Sequence, residues 1–135
     1  MKTHPLICLL IDDDQEDHEI FQLALEQTSL PVECIMMNNA DEALNLLSEK
    51  RMKPDFIFID VHMPKTGAKE CITQIKKINE LNETTLIAIS TFAMKKQIEE
   101  LKELGASRFI TKPSNIEHLE EILFDCFSAK LPFLN

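Results

Sequence analysis

Short apolar runs alternate along the chain with longer segments in which apolar residues recur every three or four positions. The runs predict five strands, at residues 6–11, 32–37, 56–59, 86–89 and 109–110. Four of these runs are continuous rather than alternating, which is typical of parallel strands that are covered on both faces. The intervening segments predict five amphipathic helices. This alternation favours an α/β fold with a doubly wound, five-stranded parallel sheet.

Capping signals mark several of the predicted helix ends. Asn39 and Glu42 have the spacing of a capping box, and so do Ser114 and Glu117. Gly105 follows the fourth helical pattern and predicts its end, because glycine accepts the left-handed backbone that often closes a helix. These signals predict helices that begin after Asn39 and Ser114 and one that stops at Gly105.

Acidic residues directly follow two of the predicted strands. Asp12, Asp13 and Asp14 come after the first strand, and Asp60 comes after the third. With the flavodoxin-like strand order 2-1-3-4-5, strands one and three are neighbours where the winding direction reverses. Ligands bind beyond the carboxyl ends of the strands at that point. We therefore expect Asp12, Asp13 and Asp60 to share one shallow pocket.

A pocket that holds three carboxylates implies a bound cation. Two like charges about 4 Å apart repel by roughly 4 kcal/mol at an effective dielectric of about 20, and no strand end requires that cost. The alternative, that the aspartates cap helices or lie in solvated loops, we expect of Asp14 alone. Ligation by oxygen atoms only favours Mg²⁺. We interpret His62 as an exposed loop imidazole rather than as the ligand of a softer metal.

Two further strand ends are predicted to complete the pocket. Ser90 and Thr91 end the fourth strand, and Lys112 and Pro113 follow the fifth. Most lysines lie on the surface, but Lys112 precedes a proline, and a cis bond in a tight turn would orient its side chain. A carboxylate, a divalent cation, a hydroxyl and an ammonium around one cavity suit a phosphoryl group.

Length and composition limit the classes of function. The 135 residues predict one domain, and the net charge of −9 makes nucleic acid a poor partner. The apolar stretch at residues 6–11 is too short for a signal sequence or a membrane span. The four cysteines show no metal-ligand spacing, and we interpret them as buried reduced thiols: Cys8, Cys34, Cys71 and Cys126. We expect a cytoplasmic protein that binds neither nucleic acid nor membrane.

Four segments, taken together and in order, resemble the receiver domain of bacterial two-component response regulators. They are ICLLIDDD at 7–14, FIFIDVHMP at 56–64, AIST at 88–91 and GASRFITKP at 105–113. The resemblance extends over essentially the whole chain. It implies a single-domain regulator similar to the chemotaxis regulators, with the receiver domain at residues 1–128, a short tail at 129–135 and no output domain.

The resemblance assigns an expected role to each acidic residue of the pocket. Asp60 matches the aspartate that accepts the phosphoryl group. Asp12 and Asp13 match the acidic pair that holds Mg²⁺, one directly and one largely through water. His62 stands where the family uses a backbone carbonyl as a further metal ligand, which leaves its side chain free of that role.

The resemblance also implies a conformational switch. Ser90 and Lys112 match the hydroxyl and the ammonium that contact the phosphoryl oxygens, and Phe109 matches the aromatic switch position. A purely structural role in the core is the alternative for Phe109, and it is compatible with switching. Phe92, two residues after Ser90, fills a position that in the family influences the access of water. An apolar ring there is expected to slow hydrolysis.

The implied partners are proteins. A histidine kinase or a phosphotransfer protein would supply the phosphoryl group, and an unidentified protein would bind the face formed by the fourth helix, the fifth strand and the fifth helix. A monomer and a homodimer through this face fit the sequence equally well. Two alternatives remain open, which are a receiver-like interaction module that is never phosphorylated and a small-molecule phosphohydrolase.

Overall fold

The structure, a computed structural model, describes residues 5–131. The strands are β1 (Leu6–Ile11), β2 (Val32–Met37), β3 (Phe56–Asp60), β4 (Thr85–Ser90) and β5 (Arg108–Thr111). The helices are α1 (Gln15–Gln27), α2 (Ala40–Ser48), α3 (Ala68–Lys76), α4 (Lys95–Leu104) and α5 (Ile116–Ser128), with a 3₁₀ turn at Asn79–Leu81. All strand pairs are parallel and the order is β2-β1-β3-β4-β5, so the predicted flavodoxin-like fold is confirmed.

The two faces of the sheet carry separate hydrophobic cores, and the central strand β3 contributes to both. Phe56 and Phe58 point into the core that is covered by α1 and α5. Ile57 and Ile59 point into the core that is covered by α2, α3 and α4. Every residue of β3 is buried, which is why its sequence is continuously apolar up to Asp60.

Four aromatic rings form the centre of the core beneath α1 and α5, and we call them the phenylalanine cluster. The ring of Phe58 lies edge-on to Phe21 at 5.1 Å and to Phe127 at 5.9 Å between centroids. Phe56 contacts Phe127 in the same way at 4.9 Å. This packing ties β3 to α1 and α5, and so fixes the strand whose last residue is Asp60.

Two of the predicted helix boundaries are observed. The side chain of Asn39 accepts a hydrogen bond of 2.8 Å from the backbone amide of Glu42 at the start of α2. Gly105 follows the last residue of α4 with a φ of 135°, a backbone conformation that side chains disfavour. The capping signals at these positions therefore predicted the helix ends correctly.

The predicted start of the last helix is wrong by one residue. Asn115, rather than Ser114, has the extended backbone of a capping residue, and its side chain accepts a hydrogen bond of 2.7 Å from the amide of His118. Asparagine is at least as good a cap as serine, so the later residue prevails. No cis peptide bond occurs in residues 5–131, so the Lys112–Pro113 bond is trans.

The segment after α5 packs against the body of the protein. Leu131 is buried in the core beneath α1 and α5, and the ammonium of Lys130 lies 5.2 Å from the centroid of the Phe56 ring. The rest of the predicted tail, residues 132–135, lies outside the described residues.

The four cysteines are free thiols, and Cys34 is only partly buried. None of the described helices is both long enough and apolar enough to span a bilayer.

Candidate functional site

Three carboxylates meet at the carboxyl edge of the sheet. Asp12 directly follows β1 and Asp60 is the last residue of β3, and the parallel register of the two strands sets them side by side. Each of Asp12, Asp13 and Asp60 offers an oxygen atom, and these three atoms lie within 4.8 Å of one another. Asp12 and Asp60 are buried and Asp13 is exposed. The structure thus brings together the side chains that the sequence predicted to share a pocket.

The donor set fits a hard divalent cation. Three carboxylates supply oxygen atoms only, and one of them is exposed, which leaves room for metal-bound water. Mg²⁺ prefers this combination of few protein ligands and several waters. Asp12, Asp13 and Asp60 are therefore the side chains that would hold Mg²⁺.

Lys112 contacts three carboxylates at once. Its Nζ atom lies 3.0 Å from Asp12 Oδ2 and 3.1 Å from Asp60 Oδ1. Its shortest contact is with Oδ2 of Asp17, at 2.6 Å. Asp17 lies in the first turn of α1 and was not among the predicted site residues. An available signal was its position four residues after Asp13, at the start of the helix that follows the acidic strand end.

Burial and the mutual contacts shift the ionisation of these groups. Burial raises the pKa of Asp12 to about 6, although the Asp14 amide and Lys112 partly oppose this shift. Burial likewise raises the pKa of Asp60 against the opposing charge of Lys112. Burial alone would lower the pKa of Lys112, but its hydrogen bonds to Asp17 and Asp12 outweigh that effect and raise it. Lys112 is therefore positively charged at neutral pH.

Neighbouring groups fix the conformation of Asp12. Its side chain accepts a hydrogen bond of 3.0 Å from the backbone amide of Asp14. Its backbone carbonyl lies 2.6 Å from Nε2 of His18, a buried histidine on α1 that was not among the predicted site residues. Asp14 itself caps α1, because its Oδ1 accepts from the amides of Glu16 and Asp17, as the capping interpretation of Asp14 predicted.

The hydroxyl of Ser90 is engaged within its own loop. Ser90 Oγ donates to the carbonyl of Phe92 at 2.7 Å and accepts from the Phe92 amide at 3.2 Å. The imidazole of His62 also contacts the Phe92 carbonyl, with its Nε2 at 2.5 Å, so the two loops at the rim of the pocket are joined. His62 is exposed, as expected, and the Phe92 ring is 67% exposed.

The end of β5 is tied to the end of β4. The backbone amide of Lys112 donates to the carbonyl of Ser90 at 2.7 Å, which aligns the two residues at the same edge of the sheet. Phe109 is partly buried and packs against the core beneath α2, α3 and α4. The structural role expected for Phe109 is therefore observed, and its role as a switch remains a prediction.

The family of the chain follows from comparison with known proteins. The profile described as "Response regulator receiver domain" matches residues 8–124. The chain belongs to this family. The match includes all the carboxylates of the site together with Ser90, Phe109 and Lys112.

Individual relatives of this receiver domain agree with the family. The polar-differentiation response regulator DivK of Brucella anthropi is 29% identical over 119 residues, which cover 88% of this chain and 94% of DivK. The phosphorylated cyanobacterial phytochrome response regulator RcpA is 25% identical, with a TM-score of 0.81 and coverage of 92% and 91%. Vibrio cholerae chemotaxis protein CheY4 has the same fold, with 24% identity, a TM-score of 0.74 and coverage of 88% and 96%.

The raised pKa of Asp12 predicts that Mg²⁺ binding to this receiver domain depends on pH. A divalent cation would bind the ionised carboxylate of Asp12, and this group takes up a proton as the pH falls through about 6. We expect the apparent affinity for Mg²⁺ to be about tenfold lower at pH 5 than at pH 8, as measured by calorimetry. Equal affinities at the two pH values would contradict the assignment of Asp12 as a Mg²⁺ ligand with a raised pKa.

The raised pKa of Asp12 also makes the stability of the metal-free protein depend on pH, but in the opposite direction to the Mg²⁺ affinity. Between pH 3.8 and about 6 the folded chain retains a proton on Asp12 that the unfolded chain releases. The contribution of Asp12 to stability therefore decreases as the pH rises through this window.

Addition of Mg²⁺ at pH 8 is expected to raise the melting temperature, and Asp12→Asn is expected to remove most of that increase.

Proposed function

We propose that this receiver domain accepts a phosphoryl group on Asp60 and thereby switches the binding of a partner protein. The observation that carries the proposal is the position of the Asp60 carboxylate. It lies 3.1 Å from the ammonium of Lys112 and beside the oxygen atoms of Asp12 and Asp13. A carboxylate nucleophile, a fixed cation and a set of metal ligands are the components that phosphoryl transfer requires.

The transfer exchanges one bond to phosphorus for another. A carboxylate oxygen of Asp60 attacks the phosphorus of a phosphohistidine in line, the P–N bond breaks, and the imidazole nitrogen retains the electron pair. Lys112 pairs with the phosphoryl oxygens as negative charge develops on them. Mg²⁺ held by Asp12, Asp13, Asp60 and the backbone carbonyl of His62 would neutralise further charge. The product is an acyl phosphate on Asp60, which water later hydrolyses at the same site.

The phosphoryl group then acts on Ser90. It brings up to about two negative charges into the pocket. The hydroxyl of Ser90 leaves the Phe92 carbonyl and donates to a phosphoryl oxygen, and Phe109 rotates into the space that is vacated. This change shifts an equilibrium between two conformations, so the unphosphorylated protein retains partial activity.

The partners are proteins that recognise either the pocket or the switch face. The donor is a histidine kinase or a phosphotransfer protein, and the output is read from the face formed by α4, β5 and α5, by a second protein or by a second copy of the chain. We assign residues 1–128 to the receiver domain and place the protein in the cytoplasm. Two relatives support the proposal by their descriptions, since DivK is a response regulator of polar differentiation and RcpA was solved in a phosphorylated form.

Incubation with acetyl phosphate and Mg²⁺, followed by measurement of the intact mass, tests the proposal. We expect a single added phosphoryl group that is lost with time and is not formed when Mg²⁺ is chelated. Absence of any modification would indicate the alternative of an interaction module that is never phosphorylated. Continuous turnover of p-nitrophenyl phosphate would indicate the alternative of a small-molecule phosphohydrolase.

The lifetime of the acyl phosphate is predicted to depend on Phe92. Phe92 is exposed, and its backbone carbonyl accepts the hydrogen bond of the Ser90 hydroxyl, so we place its ring at the entrance through which water reaches the pocket. In Phe92→Glu, a carboxylate replaces the apolar ring and can orient the attacking water. We expect dephosphorylation to accelerate by about three- to tenfold, which is below the roughly hundredfold effect of a well-positioned general base.

Met94 provides the matched control for this prediction. Its side chain is 63% exposed and lies two residues further along the same loop. Met94→Glu introduces the same charge at the residue that caps α4, two positions beyond Phe92, and we expect the dephosphorylation rate to be unchanged. Equal rates in Phe92→Glu and the wild type would show that Phe92 does not control the access of water.

A further inference from the structure

We infer that Asp17 is a positioning residue for phosphoryl transfer. It anchors the ammonium of Lys112 while one of the N–H groups of that ammonium exchanges its hydrogen-bond acceptor. This N–H group releases the Asp60 carboxylate and donates to the incoming phosphoryl group instead. The inference rests on the proposed function, since it concerns the same site. It assigns a task to a residue that belongs neither to the acidic metal-binding group nor to the switch.

The hydrogen bonds of Lys112 leave no donor unused. A lysine ammonium has three N–H donors, and here it contacts three carboxylates. The distances from Nζ are 3.0 Å to Asp12, 3.1 Å to Asp60 and 2.6 Å to Asp17. A phosphoryl oxygen can therefore be contacted only when one of these three carboxylates gives up its hydrogen bond.

Two of the three carboxylates change during the reaction. Asp60 loses its negative charge when one of its oxygens becomes bonded to phosphorus, so the donor directed at Asp60 is the one released. Asp12 belongs to the group of clustered carboxylates and shares its electron pairs with any bound cation. Asp17 forms no bond to phosphorus and lies outside the group of clustered carboxylates, which makes it the constant anchor of Lys112.

Asp17 stands on a rigid element. It lies in the first turn of α1, where its backbone amide is hydrogen-bonded to the capping side chain of Asp14. Further along the helix, Phe21 and Leu25 are buried against the core that α1 shares with α5. A charged partner that is held by a capped and packed helix positions a flexible lysine better than one in a loop would.

A cavity beside the ion pair gives the ammonium of Lys112 room to move. This cavity has a volume of about 90 Å³, and its lining includes Asp17, Lys112, Ile20, Pro113 and Leu119. The lysine stem is flexible, so without the Asp17 charge the ammonium has room to turn towards this cavity. Each such excursion would remove the positive charge from Asp60.

A competing account predicts the opposite effect. If Asp17 withheld Lys112 from the phosphoryl group, its removal would accelerate phosphorylation. If Asp17 anchors Lys112, its removal slows the reaction. Whether the variant without the Asp17 charge is phosphorylated more slowly or faster than the wild type therefore distinguishes the two accounts.

The test measures the rate at which acetyl phosphate modifies the full chain at saturating Mg²⁺. We expect Asp17→Asn to lower this rate by about tenfold, the usual consequence of losing one charge-assisted hydrogen bond. Asp17→Glu, which restores the charge, is expected to recover part of the loss. Glu16→Gln removes a charge from the same helical turn and is expected to leave the rate unchanged.

A double-mutant cycle separates positioning from a general loss of structure. In a Lys112→Met background, Asp17→Asn is expected to cause no further decrease, because the residue that it positions is absent. Additive losses would overturn the inference, and so would a wild-type rate or a faster rate in Asp17→Asn. If Asp17→Asn melts well below the wild type, Asp17→Gln serves as the second uncharged variant. A wild-type chain that takes up no phosphoryl group would refute the proposed function itself.

Discussion

Replacement of Asp60 by asparagine is expected to abolish phosphorylation by acetyl phosphate. The amide has nearly the shape of the carboxylate, but its oxygen carries no charge and attacks phosphorus poorly. Asp60 is buried at the end of β3 within 3.1 Å of Lys112. Asp12 is also buried and contacts Lys112, but we expect it to remain a metal ligand in the variant. The intact mass of Asp60→Asn after incubation with acetyl phosphate and Mg²⁺ should equal that of the untreated protein.

Asp55 provides a matched control at the opposite end of the same strand. Its Oδ2 accepts a hydrogen bond of 2.9 Å from the backbone amide of Ile7, far from the carboxyl edge of the sheet. The amide oxygen of Asn can accept the same bond, so Asp55→Asn should fold and should be phosphorylated at the wild-type rate. A phosphoryl group on Asp60→Asn would show that another side chain is the acceptor.

The central strands and the convergence of the carboxylates were predictable because each follows from local patterns. A continuous apolar run is compatible with a strand covered on both faces, and β3 is buried throughout its length. Once β1 and β3 are neighbours in a parallel sheet, their carboxyl ends must meet. The positions of Asp12 and Asp60 therefore required only the strand order, which the alternation of strands and helices restricts to few possibilities.

The contacts of Asp17 and His18 could not be predicted in this way. An acidic residue in the first turn of a helix is already explained by the helix dipole, so the position of Asp17 shortly after Asp13 was too unspecific a signal to indicate a second role. Its contact with Lys112 joins residues that are 95 positions apart and depends on how α1 lies against the end of β5. His18 is polar in sequence but buried in the fold, because the carbonyl of Asp12 provides its hydrogen-bond partner.

The same distinction between local and tertiary information applies to Ser90. Its place at the end of β4 follows from the apolar run that precedes it. Its hydrogen bond to the Phe92 carbonyl depends on the conformation of the following loop, which also contacts His62. The structure therefore shows the serine hydroxyl hydrogen-bonded within its own loop. Under the proposed function, this hydrogen bond is exchanged for one to the phosphoryl group.

Truncation of Phe58 is expected to cause a large loss of stability. Its ring is completely buried and contacts both Phe21 and Phe127, so Phe58→Ala leaves a cavity at the centre of the phenylalanine cluster. Phenylalanine-to-alanine changes at such sites cost about 3–5 kcal/mol. This is a large part of the roughly 5–15 kcal/mol that stabilises a typical domain. Urea denaturation followed by circular dichroism measures the loss in a chain that lacks tryptophan and tyrosine.

A phenylalanine on the surface provides the control that tests whether burial of the ring causes this loss of stability. Phe124 on α5 is 42% exposed, and we expect Phe124→Ala to change the free energy of unfolding by less than about 1 kcal/mol. If Phe58→Ala does not fold, Phe58→Leu refills most of the cavity and should show a smaller loss of the same sign. Equal losses in Phe58→Ala and Phe124→Ala would show that the cluster is not the main support of β3. Because Phe58 lies two residues before Asp60, the cluster that stabilises the fold also holds the proposed phosphoryl acceptor in place.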